Sequence, residues 1–320
     1  MINFCTLFDS NYLHFGLTLH ESLMQNCPKF HLYVFAFDKK CEDFLRQKNL
    51  PNVTVISLQE FEDEKLLAVK PSRNKGEYCW TSTPSTIRYV LKNFKVEHCV
   101  YVDADLCFFG NPQILLDEMG DKSVLVTPHN YADGYDQSAV CGKYCVQFMF
   151  FRNNAQGLEV LEWWRERCLE WCFENPVDGK FGDQKYLDDW LVRFPQTHEL
   201  RHEGGGVAPW NVSQYKIKDN KIYKKDGAVF DLIFYHFHGF ALLDEARVKL
   251  TPKKYLIKRD AVKNIYEKYL QQMKKNINEV AAVSGLVAAA KAKKVKWGKK
   301  LLLKILPKMN NVILNNGLFN

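Results

Sequence analysis

The chain has 320 residues, of which 47% are hydrophobic and 14% aromatic, enough apolar material for one large core or two smaller ones. This composition excludes a chain that is disordered throughout. No apolar run reaches the roughly 18 residues that span a bilayer, and the first residues lack the basic and then apolar pattern of a secretory signal. A cytoplasmic protein with reduced cysteines is therefore expected.

The net charge of +7 is unevenly distributed. Residues 249–320 carry 17 Lys and Arg and three acidic residues, a net of +14, whereas residues 1–248 have a net of −7. The body of the protein is thus acidic and its C-terminal part is basic. This division predicts a domain over residues 1–248 and a basic helical extension over residues 249–320.

Alternating strand and helix patterns begin at the N-terminus. Strands are predicted over residues 3–8, 31–37 and 53–56, with helices over about 12–25 and 40–48 between them. This β-α-β-α-β order predicts an α/β fold with a parallel sheet covered by helices on both faces. Such a sheet places its ligand at the carboxyl ends of its strands.

The pattern continues through the rest of the body. A helix is predicted over about 82–92, followed by strands over 99–102, 123–126 and 146–151. A helix rich in tryptophan is predicted over about 155–173. The body therefore retains the strand and helix alternation of its first 60 residues.

The sharpest chemical signal is Asp103-Ala104-Asp105, which directly follows the predicted strand 99–102. Alternating positions bring two carboxylates within reach of one divalent cation. An acidic body needs such a cation in order to hold a diphosphate. The alternative is a polar turn that caps the next helix, because Asp-x-Asp also occurs by chance.

The segment 101–108 resembles the metal-binding motif of GT-A glycosyltransferases, and other segments resemble the family 8 type, which includes bacterial lipopolysaccharide galactosyltransferases and glycogenin. The resemblance covers residues 1 to about 245 and consists of motif order and spacing rather than close identity. It implies a GT-A fold, a mixed and mainly parallel sheet flanked by helices, in a catalytic domain over residues 1–248. It also implies that Asp103, Ala104 and Asp105 contact a nucleotide sugar.

Two further segments resemble the donor-binding parts of family 8. Residues 4–12 resemble the first strand and the loop that holds the nucleoside. Arg88 lies on the helix before the Asp-x-Asp strand, where these enzymes place an arginine facing the nucleotide sugar. In the first segment the resemblance implies donor contacts by Thr6, Phe8, Asp9 and Tyr12.

The segment 182–187 is similar to the family's Asp-Gln-x-x-Leu segment beside the transferred sugar. The resemblance gives Asp183 and Gln184 the catalytic positions, where an amide and a carboxylate would stabilise an oxocarbenium-like sugar. The preceding Gly182 lets the backbone approach a ligand closely. The alternative is that Asp183 and Gln184 only cap the following helix.

The segment 234–239 resembles the closing His-x-x-Gly of family 8, which implies metal ligation by His236 and a donor contact by Gly239. His238 is the alternative ligand, because two histidines that flank one residue face the same side of a strand. A third alternative is a core histidine without a functional role.

Two departures from the family pattern change what is expected of the donor site. Residues 240–243 stand where family 8 usually has Lys-Pro-Trp, so that Arg88, Arg247 or Lys249 would neutralise the diphosphate. Residues 145–149 replace the family's Asn-x-Gly, so that Gln147 would contact the sugar.

Together these features predict a metal-dependent glycosyltransferase that moves a hexose from a nucleotide-diphosphate sugar, preferably a UDP-sugar, to a saccharide or lipid-linked acceptor in lipopolysaccharide or capsule synthesis. The resemblance implies that Mn²⁺ or Mg²⁺ is held by Asp103, Asp105 and His236 and that the anomeric configuration is retained. Trp210 is expected to stack on an acceptor sugar. The alternative is a catalytically silent, membrane-tethered nucleotide-sugar-binding protein.

The extension predicts where the protein resides. Residues 249–275 have a helical pattern, and residues 281–306 favour an amphipathic basic helix that contains part of a group of eight lysines between Lys291 and Lys308. Each lysine near an anionic leaflet contributes ~1 kcal/mol. We therefore expect peripheral association with the inner face of the cytoplasmic membrane. Nucleic acid is not expected as a partner, because interleaved aromatics and a recognition fold are missing.

Overall fold

The computed structural model describes residues 1–243, 247–284 and 312–314. Its central element is a seven-stranded sheet with the strand order β3-β2-β1-β4-β7-β6-β8. The strands of this sheet are β1 (Ile2–Phe8), β2 (Phe30–Ala36), β3 (Val53–Ser57), β4 (His98–Val102), β6 (Val124–Pro128), β7 (Tyr144–Arg152) and β8 (Thr197–Glu199).

The central sheet is mixed and mainly parallel. Strand β1 pairs in parallel with both β2 and β4, and β2 pairs in parallel with β3. Strand β7 is antiparallel to β4 and to β6, whereas β8 is parallel to β6. The α/β fold class predicted from the sequence is confirmed.

Helices cover the two faces of the sheet, which are both apolar. Successive residues of a strand point to opposite faces, and Phe4 and Val100 belong to one buried cluster while Cys5 and Tyr101 belong to the other. The helices of the body are α1 (Leu13–Asn26), α2 (Lys39–Lys48), α3 (Leu58–Phe61), α4 (Glu64–Val69), α5 (Lys75–Asn93), α6 (Gln113–Asp117), α7 (Ser138–Cys141), α8 (Ala155–Glu170) and α9 (Trp190–Arg193).

Helix α5 starts seven residues earlier than predicted. A capping box defines its first turn, because the Asn74 side chain accepts the Glu77 N–H at 2.9 Å while the Glu77 carboxylate accepts the Asn74 N–H at 2.9 Å. The helix then continues through Pro84. The early start matters for function, since Lys75, Gly76, Cys79 and Trp80, which precede the predicted start, line the cleft described below.

A small sheet beside the central one is made of β5 (Leu106–Phe108), β13 (Phe234–His236) and β9 (Gly205–Val207). Strand β13 is antiparallel to β5, and in this register His236 stands opposite Leu106. The small sheet therefore brings the end of β13 to the turn that follows β4. Two other sheets contain β10 (Lys216–Lys218), β11 (Lys221–Tyr223) and β12 (Val229–Asp231), and β14 (Ala241–Leu242), β15 (Arg247–Lys249) and β16 (Val312–Leu314).

The first part of the predicted basic extension packs against the body. Its helical region begins at Arg259, ten residues after the predicted start, because β15 and a loop occupy residues 247–258. It consists of α10 (Arg259–Ala261), a π-helical turn (Val262–Tyr266) and α11 (Glu267–Ser284). The Asn276 side chain on α11 donates to the Thr18 hydroxyl on α1 at 3.0 Å.

Aromatic contacts also link this region to β13. The hydroxyls of Tyr235 and Tyr266 are 2.9 Å apart, and the rings of Phe237 and Tyr269 are stacked with centroids 3.5 Å apart. Residues 285–311 and 315–320, where the amphipathic basic helix is predicted, lie outside the described residues. Among the residues described, no helix has both the length and the apolar character needed to cross a bilayer.

Candidate active site

A cleft of about 880 Å³ opens at the carboxyl ends of β1 and β4. This is the edge at which the sequence predicts a ligand, because parallel strands leave their carboxyl ends and following loops together. Its size suits a small-molecule site. The sequence-predicted residues that line it are Phe8, Asp9, Tyr12, Asp103, Ala104, Asp105, Asp183, Gln184, Trp210, His236, His238 and Gly239.

The two carboxylates of the Asp-x-Asp motif lie in a tight turn between β4 and β5. The Asp103 N–H donates to the Gln147 carbonyl at 3.1 Å, and the Leu106 N–H donates to the Asp103 carbonyl at 3.2 Å. The turn is held on its other side by the Phe237 N–H, which donates to the Asp105 carbonyl at 3.0 Å. The main chain therefore fixes both carboxylates before any ligand binds.

His236 completes a three-residue cluster with these carboxylates. Its Nε2 is 3.1 Å from Asp105 Oδ1 and 3.8 Å from Asp103 Oδ2. One ligand atom from each of the three residues lies within 4.8 Å of the others. Oxygen and imidazole ligands in this number suit a divalent cation such as Mn²⁺ or Mg²⁺, so the residues present fit the metal that the sequence predicts.

The electrostatics of the cluster agree with this fit. Burial raises the pKa of Asp103 to about 6. Although burial opposes the charged form of Asp105 as well, the adjacent His236 lowers the pKa of Asp105. Burial also opposes a charged His236, but Asp105 raises the pKa of the imidazole above its usual range. A cation bound here would supply the positive charge that the imidazolium provides beside the two carboxylates, and the imidazole would lose its proton.

His238 lies outside this cluster. Its ring is exposed, and its centroid is 5.9 Å from that of His236, which is 6% exposed. Strand β13 ends at His236, so that the alternation expected for a strand does not continue to the second histidine. Among the described residues the metal-type cluster contains His236 and not His238.

Asp183 and Gln184 line the cleft and do not cap the next helix. The 3₁₀-helix Lys185–Asp189 follows them, and it has no side-chain cap. The Trp164 indole N–H donates to the Asp183 carbonyl at 2.9 Å, and the Gln184 amide donates to the Cys141 carbonyl at 2.6 Å. Burial, with a contribution from the charge of Asp103, raises the pKa of Asp183 to about 8.

Three of the expected donor-binding residues on the first strand and helix reach the cleft, and one does not. Phe8, Asp9 and Tyr12 line it, since they come at or after the end of β1. Thr6 is fully buried within β1 and is not among the lining residues. The expected donor contact by Thr6 is wrong, because its side chain lies inside the core two residues before the strand ends.

Arg88 does not face the cleft either. Its Nε donates to the Glu162 carboxylate at 2.5 Å, an ion pair between α5 and α8. The part of α5 that lines the cleft contains Cys79, Trp80 and Thr83. Five residues of a helix turn the chain through about 500°, which is more than one full turn. The side chains of Arg88 and Thr83 therefore point in different directions from the helix axis. The expected contact with a nucleotide sugar is therefore wrong in this structure.

Gln147 is also placed differently from the expectation. Its side chain is fully buried and is not among the lining residues of the cleft. The amide oxygen Oε1 lies 2.7 Å from His236 Nδ1. The side chain thus touches the predicted metal ligand from behind, and the expected direct contact with the sugar is wrong.

Several cleft residues could not be found from the motifs. The Tyr101 hydroxyl donates to Asp103 Oδ1 at 2.9 Å, a contact that the two-residue period of a strand would have indicated. Lys254 lines the cleft from the loop after β15, where its Nζ donates to Gln137 Oε1 at 2.6 Å. Lys75, at the start of α5, lines the cleft as well. Arg247 and Lys249, which were expected to neutralise a diphosphate, are not among the lining residues.

The fold is that of a known glycosyltransferase. The crystal structure of the galactosyltransferase LgtC in complex with donor and acceptor sugar analogues superposes with a TM-score of 0.52. The superposition covers 86% of this chain and 96% of that chain at 13% sequence identity. The chain therefore has the GT-A glycosyltransferase fold that the sequence motifs predict.

Two proteins of Bacillus subtilis (strain 168) are related in sequence. The uncharacterized protein YfnD is 31% identical over 287 residues, which cover 87% of this chain and 90% of the relative. The uncharacterized protein YfnF is 32% identical over 256 residues, which cover 77% of this chain and 84% of the relative. This chain belongs to the same protein family as YfnD and YfnF. No family profile matches the sequence.

The raised pKa of Asp183 predicts how stability changes with pH in the metal-free protein. Between the ordinary aspartate pKa of 3.8 and the folded pKa of about 8, the native carboxyl holds a proton that the unfolded chain has lost. The stability of the wild type therefore falls as pH rises through this window. Asp183→Asn removes the ionisation and should be more stable than the wild type by about 1–3 kcal/mol at pH 8, with a smaller difference at pH 5.

Urea unfolding at both pH values in the presence of a chelator measures this difference. The control is Asp189→Asn, which removes a carboxylate that is half exposed and paired with Arg193. A stabilisation by Asp183→Asn that is the same at pH 5 and pH 8 would contradict the buried, protonated carboxyl.

Proposed function

We propose that this protein is a divalent-metal-dependent glycosyltransferase that moves a hexose from a nucleotide-diphosphate sugar to a saccharide or lipid-linked acceptor. The observation that carries the proposal is the cluster of Asp103, Asp105 and His236 at the carboxyl edge of a GT-A sheet, inside a cleft of about 880 Å³. The catalytically silent binding protein is the competing hypothesis, and the assay below separates the two.

The chain's own residues supply most of what such a reaction requires. Asp103, Asp105 and His236 would hold Mn²⁺ or Mg²⁺, which when bound stabilises the charge on a departing diphosphate. Phe8 and Tyr12 offer apolar surfaces for a nucleoside, and Asp9 lies beside them. In this proposal the nucleoside lies near the end of β1 and its diphosphate lies toward the turn after β4.

Asp183 and Gln184 are the residues proposed to act on the transferred sugar. Both line the cleft on the side of Asp103, whose charge influences Asp183. The carboxyl and amide oxygens of these two side chains would face the positive charge that develops at the anomeric carbon of an oxocarbenium-like state. Retention of configuration follows from the resemblance to family 8, with the acceptor hydroxyl attacking from the face that the diphosphate leaves.

An aromatic wall suits a sugar acceptor. Trp210, Tyr131 and Tyr255 line the cleft beside His236 and His238. The indole N–H of Trp210 donates to the His129 carbonyl at 2.9 Å, and the indole ring is nearly perpendicular to the His236 ring, with centroids 5.4 Å apart. Fixed aromatic rings bind the apolar faces of sugars without losing side-chain entropy. This wall supports a saccharide acceptor.

The membrane-binding role proposed for the C-terminal part rests on its charge. Residues 249–320 carry a net of +14, and eight lysines fall between Lys291 and Lys308. An acceptor attached to a lipid would be presented at such a surface. The proposed domain division at residue 248 falls before Lys254 and Tyr255, which line the cleft, and residues 259–284 pack against the body.

Transfer activity tests the main proposal. A panel of UDP-, GDP- and CMP-sugars is incubated with Mn²⁺, and both hydrolysis and transfer to saccharides are measured. The wild type should be active with a UDP-hexose, and Asp103→Asn should lower kcat at least about 100-fold because one ligand of the charge-stabilising site is lost. Asp133→Asn, at an exposed loop carboxylate, is the control.

No metal-dependent activity with any donor, together with nucleotide-sugar binding, would favour the silent binder. Equal activity in Asp103→Asn and the wild type would contradict the site itself.

The position of Lys254 makes a second prediction. Lys254 lines the cleft, whereas Arg88 is paired with Glu162 outside it. Lys254→Ala should weaken nucleotide-diphosphate binding about tenfold, the equivalent of one charge-assisted hydrogen bond of ~1.4 kcal/mol. Arg88→Ala should leave the affinity within about twofold, since Arg88 is paired with Glu162 and does not line the cleft. Calorimetric titration with UDP and Mn²⁺ measures both, and the reverse ranking would restore Arg88 as the donor contact.

The membrane proposal is tested by sedimentation with anionic and neutral liposomes. Lysine to glutamine changes at the eight positions are preferable to truncation near residue 275, because Ile277 and Val280 are fully buried. The wild type should sediment with anionic vesicles, and the charge-neutralised variant should lose most of this binding. Equal binding by the two proteins would exclude the lysines as the membrane contact.

A further inference from the structure

A buried glutamine lies directly behind the proposed metal ligand. Gln147 is on β7 and is fully buried, and it makes two contacts with the cluster. Its main-chain carbonyl accepts the Asp103 N–H at 3.1 Å, and its side-chain Oε1 lies 2.7 Å from His236 Nδ1. Gln147 in the central sheet thus contacts the main chain of Asp103, in the turn after β4, and the imidazole of His236, at the end of β13.

The two nitrogens of His236 have different surroundings. Nε2 faces Asp105 Oδ1 at 3.1 Å and Asp103 Oδ2 at 3.8 Å, whereas Nδ1 faces Gln147. An imidazole binds a cation through the nitrogen that carries no proton, so that ligation by Nε2 requires the proton on Nδ1. A proton on buried Nδ1 requires an acceptor, and the Gln147 amide oxygen is at hydrogen-bond distance.

The other end of the same amide has no comparable contact. Gln147 Nε2 is buried without a hydrogen-bond partner among the described residues. It lies next to Gly206, where an added Cβ would be 3.6 Å from Nε2 and 3.0 Å from the Thr127 methyl group. A buried, unpaired amide donor is unfavourable for folding. Folding stability alone therefore does not account for a glutamine at position 147, since an apolar residue of the same size would leave no donor unpaired.

We propose that Gln147 is a positioning residue that holds His236 in the Nδ1–H tautomer, with the Nε2 lone pair directed at the space between Asp103 and Asp105. The inference deepens the proposed function, because it rests on the same metal site. Gln147 does not touch the substrate or the cation. It acts through His236. In addition, its main-chain carbonyl accepts the hydrogen bond from the Asp103 N–H and so fixes the main chain of that residue relative to His236.

Metal affinity without any donor provides the first test. Binding of Mn²⁺ to the full chain is titrated by the paramagnetic resonance signal of the free ion. Gln147→Met keeps the volume and removes the acceptor, and it should weaken binding about 10–100-fold, the usual effect of losing a residue that orients a ligand. Gln147→Glu keeps an acceptor at Nδ1 and should bind with at least near-wild-type affinity.

The matched control is a second glutamine whose Nε2 lacks a partner. Gln272 on α11 touches Cys107 Sγ through its Oε1 at 3.6 Å and has no contact with the cluster. Gln272→Met should leave Mn²⁺ affinity unchanged, so that the loss of a buried amide is separated from the loss of the contact with His236. Far-UV circular dichroism and urea unfolding establish that each variant is folded.

A spectroscopic measurement keeps the test decisive if Gln147→Met fails to fold. Nitrogen-15 spectra of the histidine rings in the wild type loaded with diamagnetic Zn²⁺ should show His236 protonated on Nδ1 and coordinated through Nε2. The opposite tautomer would overturn the proposal. So would Mn²⁺ binding by a folded Gln147→Met within threefold of the wild type.

His236→Ala distinguishes this failure from a failure of the proposed function. If His236→Ala loses affinity and Gln147→Met does not, the metal site stands and only the role of Gln147 is refuted. If the wild type itself binds no Mn²⁺, both proposals fall.

Discussion

The register between β13 and β5 is the constraint on which the site depends. It places His236 opposite Leu106, one residue past the second carboxylate of the Asp-x-Asp turn. The imidazole Nε2 is consequently 3.1 Å from Asp105, although the two residues are far apart in the chain. A shift of one residue would direct the adjacent aromatic side chain toward the carboxylates instead. The cluster is thus fixed by strand pairing, with side-chain contacts refining it.

Much of this arrangement could be predicted from the sequence, because its signals are local. The pattern of apolar residues indicated six of the seven strands of the central sheet, all except β8, and the Asp-x-Asp turn followed directly from the end of one of them. A contiguous motif predicted that Asp183 and Gln184 belong to the site, and both residues line the cleft. The strands and the Asp-x-Asp turn required only neighbouring residues and the pattern of apolar residues, whereas the roles expected for Asp183 and Gln184 came from the resemblance to family 8.

The wrong inferences concern the direction of side chains, which motif order does not determine. Arg88 and Thr83 share a helix, but only Thr83 faces the cleft. Gln147 falls where a sugar contact was expected, yet it is enclosed behind His236. Lys254 could not be anticipated, because it reaches the cleft from a loop that follows the last motif. In each case tertiary packing decided the outcome.

The contact between α11 and α1 has a consequence for the order of events during synthesis. Asn276 and Thr18 bond across 258 positions of sequence, and β13 is held by Tyr266 and Tyr269. The ribosome therefore releases the acidic pair long before the histidine, and the histidine before the helix that supports its strand. Until the histidine is synthesised, the nascent chain holds the carboxylates of Asp103 and Asp105 without their basic partner. Such distant contacts favour slow folding, with the metal site completed at its end.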